Sequence, residues 1–222
     1  VLDVKHNKRN TMYESLIEAT KFHAVNQNNW IGEALAEYKH NIFNLIKENN
    51  IKTILDYGCG KAKFHSILFN NKKIPGSPMG INITSYDPAV AQFSNKPTGQ
   101  YDLVLCIDVM EHVQEDKVDE VLKDIFTYSN KVFLTITCYA ATQILTNGKN
   151  AHYTVREPNW WKEKLKAYDG SYIVIFQTKP KRGGDVVNKE EWKPNKTTIK
   201  KLEKNDKTLD ETQKEKAKLL ND

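Results

Sequence analysis

Three aspartates that each close an apolar run, together with two glycines one residue apart, set the chemistry open to this chain. Asp56-Tyr57-Gly58-Cys59-Gly60-Lys61 follows a branched aliphatic run and leads into residues able to start a helix, which reads as strand, tight turn, helix. Glycine permits the sharp turn and the close approach of a ligand, and the first N–H groups of the next helix are expected to be free for a polar group. Lys61 is expected to contact that group through its backbone N–H. Asp87-Pro88 ends the next apolar run, and an ionised carboxylate there is placed to accept both hydroxyls of a ribose. Asp108, flanked by Ile107 and Val109, ends a third run and is placed to bound a base. The ligand these residues describe is an adenosine derivative whose third part, an amino acid or a phosphate, lies on the glycine turn.

A second group concerns what such a ligand would meet. His152 follows a polar loop and precedes an aromatic helix, and it is the candidate to take a proton from a substrate. The alternative for it is a loop histidine bound to backbone. Trp30 and Tyr139 are the other candidate substrate contacts. His112 is expected mainly to pin the loop below the ligand, and His65 to be a surface or packing residue. Asp102 is expected to order a turn, and Trp160 and Trp161 either to pack a helix on a sheet or to stack on a planar substrate.

The elements that must position these groups follow from periodicity. Apolar residues at helical spacing predict a short helix from Tyr13 to about His23 and a second, amphipathic one from Ala34 to Asn49. Strands are expected over 51–57, 80–87, 101–108, 131–138 and 171–177, and the near-continuous apolar runs among them are those of a parallel sheet buried on both faces. Helices are expected over 63–69 and 109–128 and from Pro158 onward. The alternation predicts an α/β fold, doubly wound and mostly parallel, with helices on both faces. Its parts are an N-terminal helical extension or lid (1–50, with 1–12 disordered), a core (51–178) and a charged tail (179–222). A last strand around Asp185 to Val187 is an open alternative at the C-terminal edge.

Bulk composition narrows the function classes. The net charge of +5 is concentrated in the tail, which holds 13 Lys and Arg against 9 Asp and Glu, so the core has no broad basic face for nucleic acid. No apolar run is long enough to span a bilayer, and the polar, basic start lacks the apolar centre of a secretory signal; it begins without Met, as a trimmed start does. Cys59, Cys106 and Cys138 stand singly, without metal-ligand spacing, as reduced buried thiols of a cytoplasmic protein do. No metal is implied by these spacings, and the oligomeric state is not readable.

With these residues in place, the chain resembles the class I S-adenosylmethionine-dependent methyltransferases. Ile54-Leu55-Asp56-Tyr57-Gly58-Cys59-Gly60 is similar to their first motif, Tyr86-Asp87-Pro88 to their ribose-binding acid, and Asp108-Val109-Met110-Glu111-His112 to the motif after their fourth strand. The glycine turn, Tyr86-Asp87-Pro88, Asn150-Ala151-His152-Tyr153-Thr154 and Pro158-Asn159-Trp160-Trp161 are also similar to small methyltransferase-domain proteins of bacteriophages, which would place the chain in a host cytoplasm. The resemblance covers about residues 33–178. It implies S-adenosylmethionine as cofactor, held by Asp56, Tyr57, Gly58, Cys59, Gly60, Lys61, Asp87, Pro88, Ile107, Asp108, Val109 and His112, and a small-molecule or nucleotide acceptor near Trp30, Tyr139 and His152. It departs from the family at Ala62, where many members have a third glycine. A cofactor-binding module without catalysis is the alternative. A nicotinamide fingerprint is disfavoured by Lys63 at its last glycine position. A nucleic-acid substrate is disfavoured by the lack of an Asp/Asn-Pro-Pro-aromatic tetrad or a Pro-Cys nucleophile.

Overall fold

The computed structural model describes residues 13–26, 28–168 and 172–178. The expectations for 1–12, for the tail from 179 and for a strand near 185–187 lie outside the described residues.

Five strands, β1 (Thr53–Tyr57), β2 (Asn82–Tyr86), β3 (Leu103–Ile107), β4 (Val132–Thr137) and β5 (Tyr172–Gln177), form one sheet in the order β2-β1-β3-β4-β5, with every pairing parallel. The chain leaves β1 for β2 on one side and returns to β3 on the other, so the order reverses beside β1. At such a switch point the connections diverge and leave a crevice at the carboxyl ends of the strands.

The two faces of the sheet follow the period of two along its strands. Leu55, Val104, Cys106, Leu134, Ile136, Val174 and Phe176 point to one face, where helices α5 (Val118–Tyr128) and α6 (Pro158–Leu165) pack; Val118, Val121, Leu122 and Ile125 form the buried stripe of α5, while Trp161 and Leu165 anchor α6. Ile54, Leu103, Leu105, Phe133 and Ile175 point to the other face, covered by α2 (Ala34–Glu37), α3 (Lys39–Asn49) and the short α4 (His65–Leu68). α1 (Glu14–Val25) meets a third, small cluster in which Phe22 packs with Leu145 and Ala151. Among the described residues no helix is long and apolar enough to cross a membrane. All three cysteines are buried and unbridged.

The helices depart from the periodicity in three places. The amphipathic stretch after Ala34 breaks at Tyr38, whose hydroxyl accepts the Gln177 Nε2–H (2.8 Å). The helix expected over 63–69 shortens to α4. The helix expected over 109–128 begins only at Val118, because 110–112 and 115–117 are separate 3₁₀ turns split by extended backbone at Val113 and Gln114. An apolar stripe records which side chains are buried; a tertiary bond that pulls one residue out of helical backbone leaves no trace in that stripe.

Candidate functional site

A cavity of about 700 Å³ lies at the carboxyl ends of β1 to β4 and is walled on its far side by α1. Its size is within the range of roughly 300–1,000 Å³ usual for small-molecule and cofactor sites. Gly58, Gly60, Asp87, Pro88, Ile107, Asp108, Val109, His112, Tyr139, His152, Trp30 and Tyr57 all line it. Asp56, Cys59 and Lys61 do not.

The glycine turn is built differently from the sequence expectation. Gly58 and Gly60 both have left-handed backbone (φ 79° and 56°), as the spacing requires. Their missing side chains, however, make room for protein: a Cβ on Gly58 would lie 2.3 Å from Val109 Cγ2, and one on Gly60 would lie 2.2 Å from the Trp30 carbonyl oxygen. The N–H groups expected to be free are engaged. Those of Gly58 and Cys59 donate to the Tyr86 carbonyl, that of Gly60 to Asp87 Oδ2 (2.9 Å), that of Lys61 to Trp30 O (3.0 Å) and that of Lys63 to Ile31 O (3.0 Å). The backbone contact expected of Lys61 is thus taken by the 28–32 loop, and its ammonium also donates to the Asn26 and Asn29 carbonyls. The turn acts as the clasp of the N-terminal segment, and α4 is too short to present a helix terminus.

Of the three strand-end acids, two face the cavity. Asp87 is buried, with Oδ2 on the Gly60 N–H and Oδ1 on the Ala89 N–H, both at 2.9 Å; each oxygen keeps lone-pair capacity for a further donor. Burial lifts its carboxyl to about 6, against the pull of those two N–H groups. Asp108 has left-handed backbone (φ 52°), which aspartate tolerates. Its Oδ1 accepts from Thr135 Oγ1 (2.6 Å) and Gln177 Nε2 (2.8 Å), so β4 and β5 fix its direction. Asp56 turns to the opposite face, where its Oδ2 meets His65 Nε2 at 2.6 Å, and Ser85 Oγ sits 3.2 Å from His65 Nδ1. His65 is therefore the partner of Asp56, which is the packing and not the surface alternative of the expectation. Asp102 accepts the Lys52 and Thr53 N–H groups at 2.8 Å each and orders the entry to β1, as expected.

The other half of the cavity is aromatic and imidazole-rich. Trp30 touches Phe22, His23 and His112, with ring centroids 4.3, 5.1 and 4.9 Å apart, and His112 meets His152 edge-on at 4.9 Å. His152 Nδ1 lies 2.6 Å from the Tyr139 carbonyl and His112 Nδ1 2.9 Å from that of Ala151. Burial drives His112 down to about 3, with His152 beside it adding to the shift, and lowers His152 too; both rings are neutral at physiological pH. Trp161 is fully buried against the sheet, whereas Trp160 lies under Arg156 and Lys164.

Several cavity residues were not singled out by sequence. Glu111 is fully buried; its Oε1 accepts the Thr137 N–H (3.0 Å), its Oε2 has no hydrogen-bond partner, and burial with Asp108 nearby raises its carboxyl well above the usual range. His23 brings an Nδ1 that is likewise without a partner, and burial lowers it to about 4. Glu33, Glu37 and Gln177 also line the wall. Only Glu111 had a sequence signal, as part of the Asp108–His112 run; the others stand on elements that periodicity cannot orient toward a cavity.

The arrangement can accept hydrogen bonds from vicinal hydroxyls at Asp87, offers the apolar side chains of Pro88 and Val109 to the same cavity, and presents neutral imidazoles to a second molecule. No curated protein and no solved structure matches the chain. A family model described as a methyltransferase domain matches residues 30–164, which span β1 to β4, both cavity-facing acids and the two histidines. The chain belongs to this methyltransferase-domain family, among the class I S-adenosylmethionine-dependent methyltransferases.

Proposed function

We propose that the protein transfers the methyl group of S-adenosylmethionine to a small-molecule or nucleotide-type acceptor. The observation that carries this reading is one cavity lined both by Gly58, Asp87, Pro88, Asp108 and Val109 and by the ring cluster of Trp30, His112, His152 and Tyr139. Asp87 is the acceptor for the ribose hydroxyls, and Ile107, Asp108 and Val109 bound the adenine. At the amino-acid end the turn's N–H groups are engaged, so Glu33 and Glu37 on the wall suit the ammonium of a methionine moiety. Bound there, the cofactor supplies a methyl group already activated by its sulfonium. The protein's share is position and exclusion of water, with α1 as the covering element. His152 is the candidate for activating the acceptor, since Nδ1–H on a carbonyl leaves Nε2 with a lone pair.

Calorimetry with S-adenosylmethionine and S-adenosylhomocysteine tests the first half: saturable binding is expected, and none at millimolar ligand sinks the reading. The second half is tested by release of S-adenosylhomocysteine over a panel of hydroxyl- and amine-bearing small molecules and nucleotides. Tight cofactor binding with no turnover across such a panel would favour a cofactor-binding module.

A further inference from the structure

The geometry points to a divalent-cation site formed by Glu111, His112 and His152, with its open coordination positions facing the acceptor half of the cavity. Ligating atoms of these three residues, one each, lie within 4.8 Å of one another. They come from two places that spacing alone does not connect: the 3₁₀ turn after β3 and the loop before α6.

Two further observations support this assignment. Glu111 is fully buried, and its Oε2 has no hydrogen-bond partner although its Oε1 is fixed on the Thr137 N–H. A buried carboxyl oxygen without a partner is costly unless something completes it, and a cation in place of the proton would do so. The two histidines are also oriented as ligands. A carbonyl oxygen can only accept, so the contacts to Ala151 O (2.9 Å) and Tyr139 O (2.6 Å) place the proton of each neutral ring on Nδ1 and leave both Nε2 atoms as lone-pair donors. Backbone carbonyls that fix a ring's tautomer in this way are the usual outer support of metal-binding histidines.

Two imidazole nitrogens and one carboxylate oxygen select a first-row cation such as Zn²⁺, Mn²⁺ or Co²⁺ over Mg²⁺ or Ca²⁺, which prefer all-oxygen sets. Three protein ligands leave at least one position open. Resting on the methyltransferase reading, this names the acceptor as an oxygen nucleophile: an acceptor hydroxyl at the open position has its acidity raised by the cation. Its proton leaves to solvent, its oxygen pair forms the bond to the methyl carbon, and the carbon–sulfur pair returns to sulfur. His152 then serves the reaction as a ligand.

The full chain, freed of metal by chelator and dialysis, is titrated with Co²⁺ and with Zn²⁺. One equivalent is expected to bind, with the intense visible absorption of low-coordinate Co²⁺, and Zn²⁺ is expected to displace it. Glu111→Gln and His152→Gln are each expected to weaken binding at least tenfold. In the wild-type chain with nitrogen-labelled histidine, Zn²⁺ is expected to shift two of the 6 histidines at Nε2, a readout that does not depend on a variant folding. Binding no tighter than about 1 mM, binding unchanged in both folded variants, or shifts confined to other histidines overturns the site. S-adenosylhomocysteine affinity of the metal-free chain is measured alongside. Its loss sinks the methyltransferase reading alone, and metal failure with cofactor binding intact sinks this inference alone.

Discussion

Asp87 combines two demands that pull its chemistry in opposite directions. Under the proposed function its carboxylate receives two hydroxyls in its ionised form, yet its burial favours the neutral form and lifts it to about 6. Asp87→Ala is expected to weaken cofactor binding by at least tenfold, through loss of charge-assisted hydrogen bonds worth roughly 1.5–3 kcal/mol. In the wild type, affinity measured by calorimetry is expected to fall roughly tenfold between pH 7 and pH 5 as the carboxyl protonates. The Asp87→Asn variant should show no such slope, and an equal slope in both would remove the assignment. The pKa of His23 is shifted in the opposite direction. Its folded value of about 4 lies below the ordinary 6.5, so the unfolded chain binds the extra proton, and its contribution to stability is lost as pH falls from about 6.5 toward 4. His23→Phe, which also removes a partnerless Nδ1, is expected to lose less stability than the wild type between pH 7 and pH 5 in urea unfolding. At this scale the sequence was legible where a residue closes a strand, as Asp87 and Asp108 do. It was misleading for Asp56, because the side-chain alternation of β1 sends neighbours to opposite faces and only the bond to His65 reveals which face Asp56 takes.

The elements that carry the site are held by contacts of very different kinds. The 28–32 loop is clasped to the glycine turn through the Trp30 and Ile31 carbonyls, and the Gly60 Cβ position is filled by one of them. Gly60→Ala meets both that oxygen and a positive φ, so a loss of about 1–3 kcal/mol is expected in urea unfolding. Protection of the Lys61 and Lys63 amides from hydrogen exchange should drop with it; unchanged protection would mean that the clasp does not depend on the glycine. On the opposite face α6 is fixed by Trp161, fully buried among the side chains of α5, β4 and β5. Trp161→Ala should cost about 3–5 kcal/mol, a core loss with no counterpart at the partly exposed Trp160. All five strands were legible because each is a short apolar run bounded by turn residues. The break at Tyr38 and the two 3₁₀ turns after β3 were not, since tertiary hydrogen bonds, not local propensity, decide them.

Taken whole, the molecule places one cavity where the winding of its sheet reverses and closes it with α1. That helix is tied across the cavity by Glu14 to Lys149 (2.6 Å), by Glu18 to Thr146 and by Ser15 to Gln114 (2.9 Å). A ligand that binds only the folded chain at a hundred times its dissociation constant contributes about 2.7 kcal/mol. For a chain of this length S-adenosylhomocysteine should therefore raise the melting midpoint by roughly 5–11 °C. The exposed 146–149 loop should gain protection from proteolysis at the same time. A midpoint unmoved by saturating ligand would contradict this. The presence of this cavity was legible from strand-end chemistry alone. On its other side Trp30, Tyr139 and His152 were named from the sequence, but the meeting of Glu111, His112 and His152 was not legible, because α5 and β4 separate them along the chain.

Gln177 stands at the last residue of β5, and its amide holds both Tyr38 and Asp108. In a chain made from its N-terminus onward, those two residues emerge long before the group that orients them. The pocket is therefore assembled in order of synthesis: a nascent chain stopped after β4 already has Gly60 and Asp87, while Asp108 still lacks the hydrogen bond from the Gln177 amide. Under the proposed function, competence to bind the cofactor signals that β5 has been delivered.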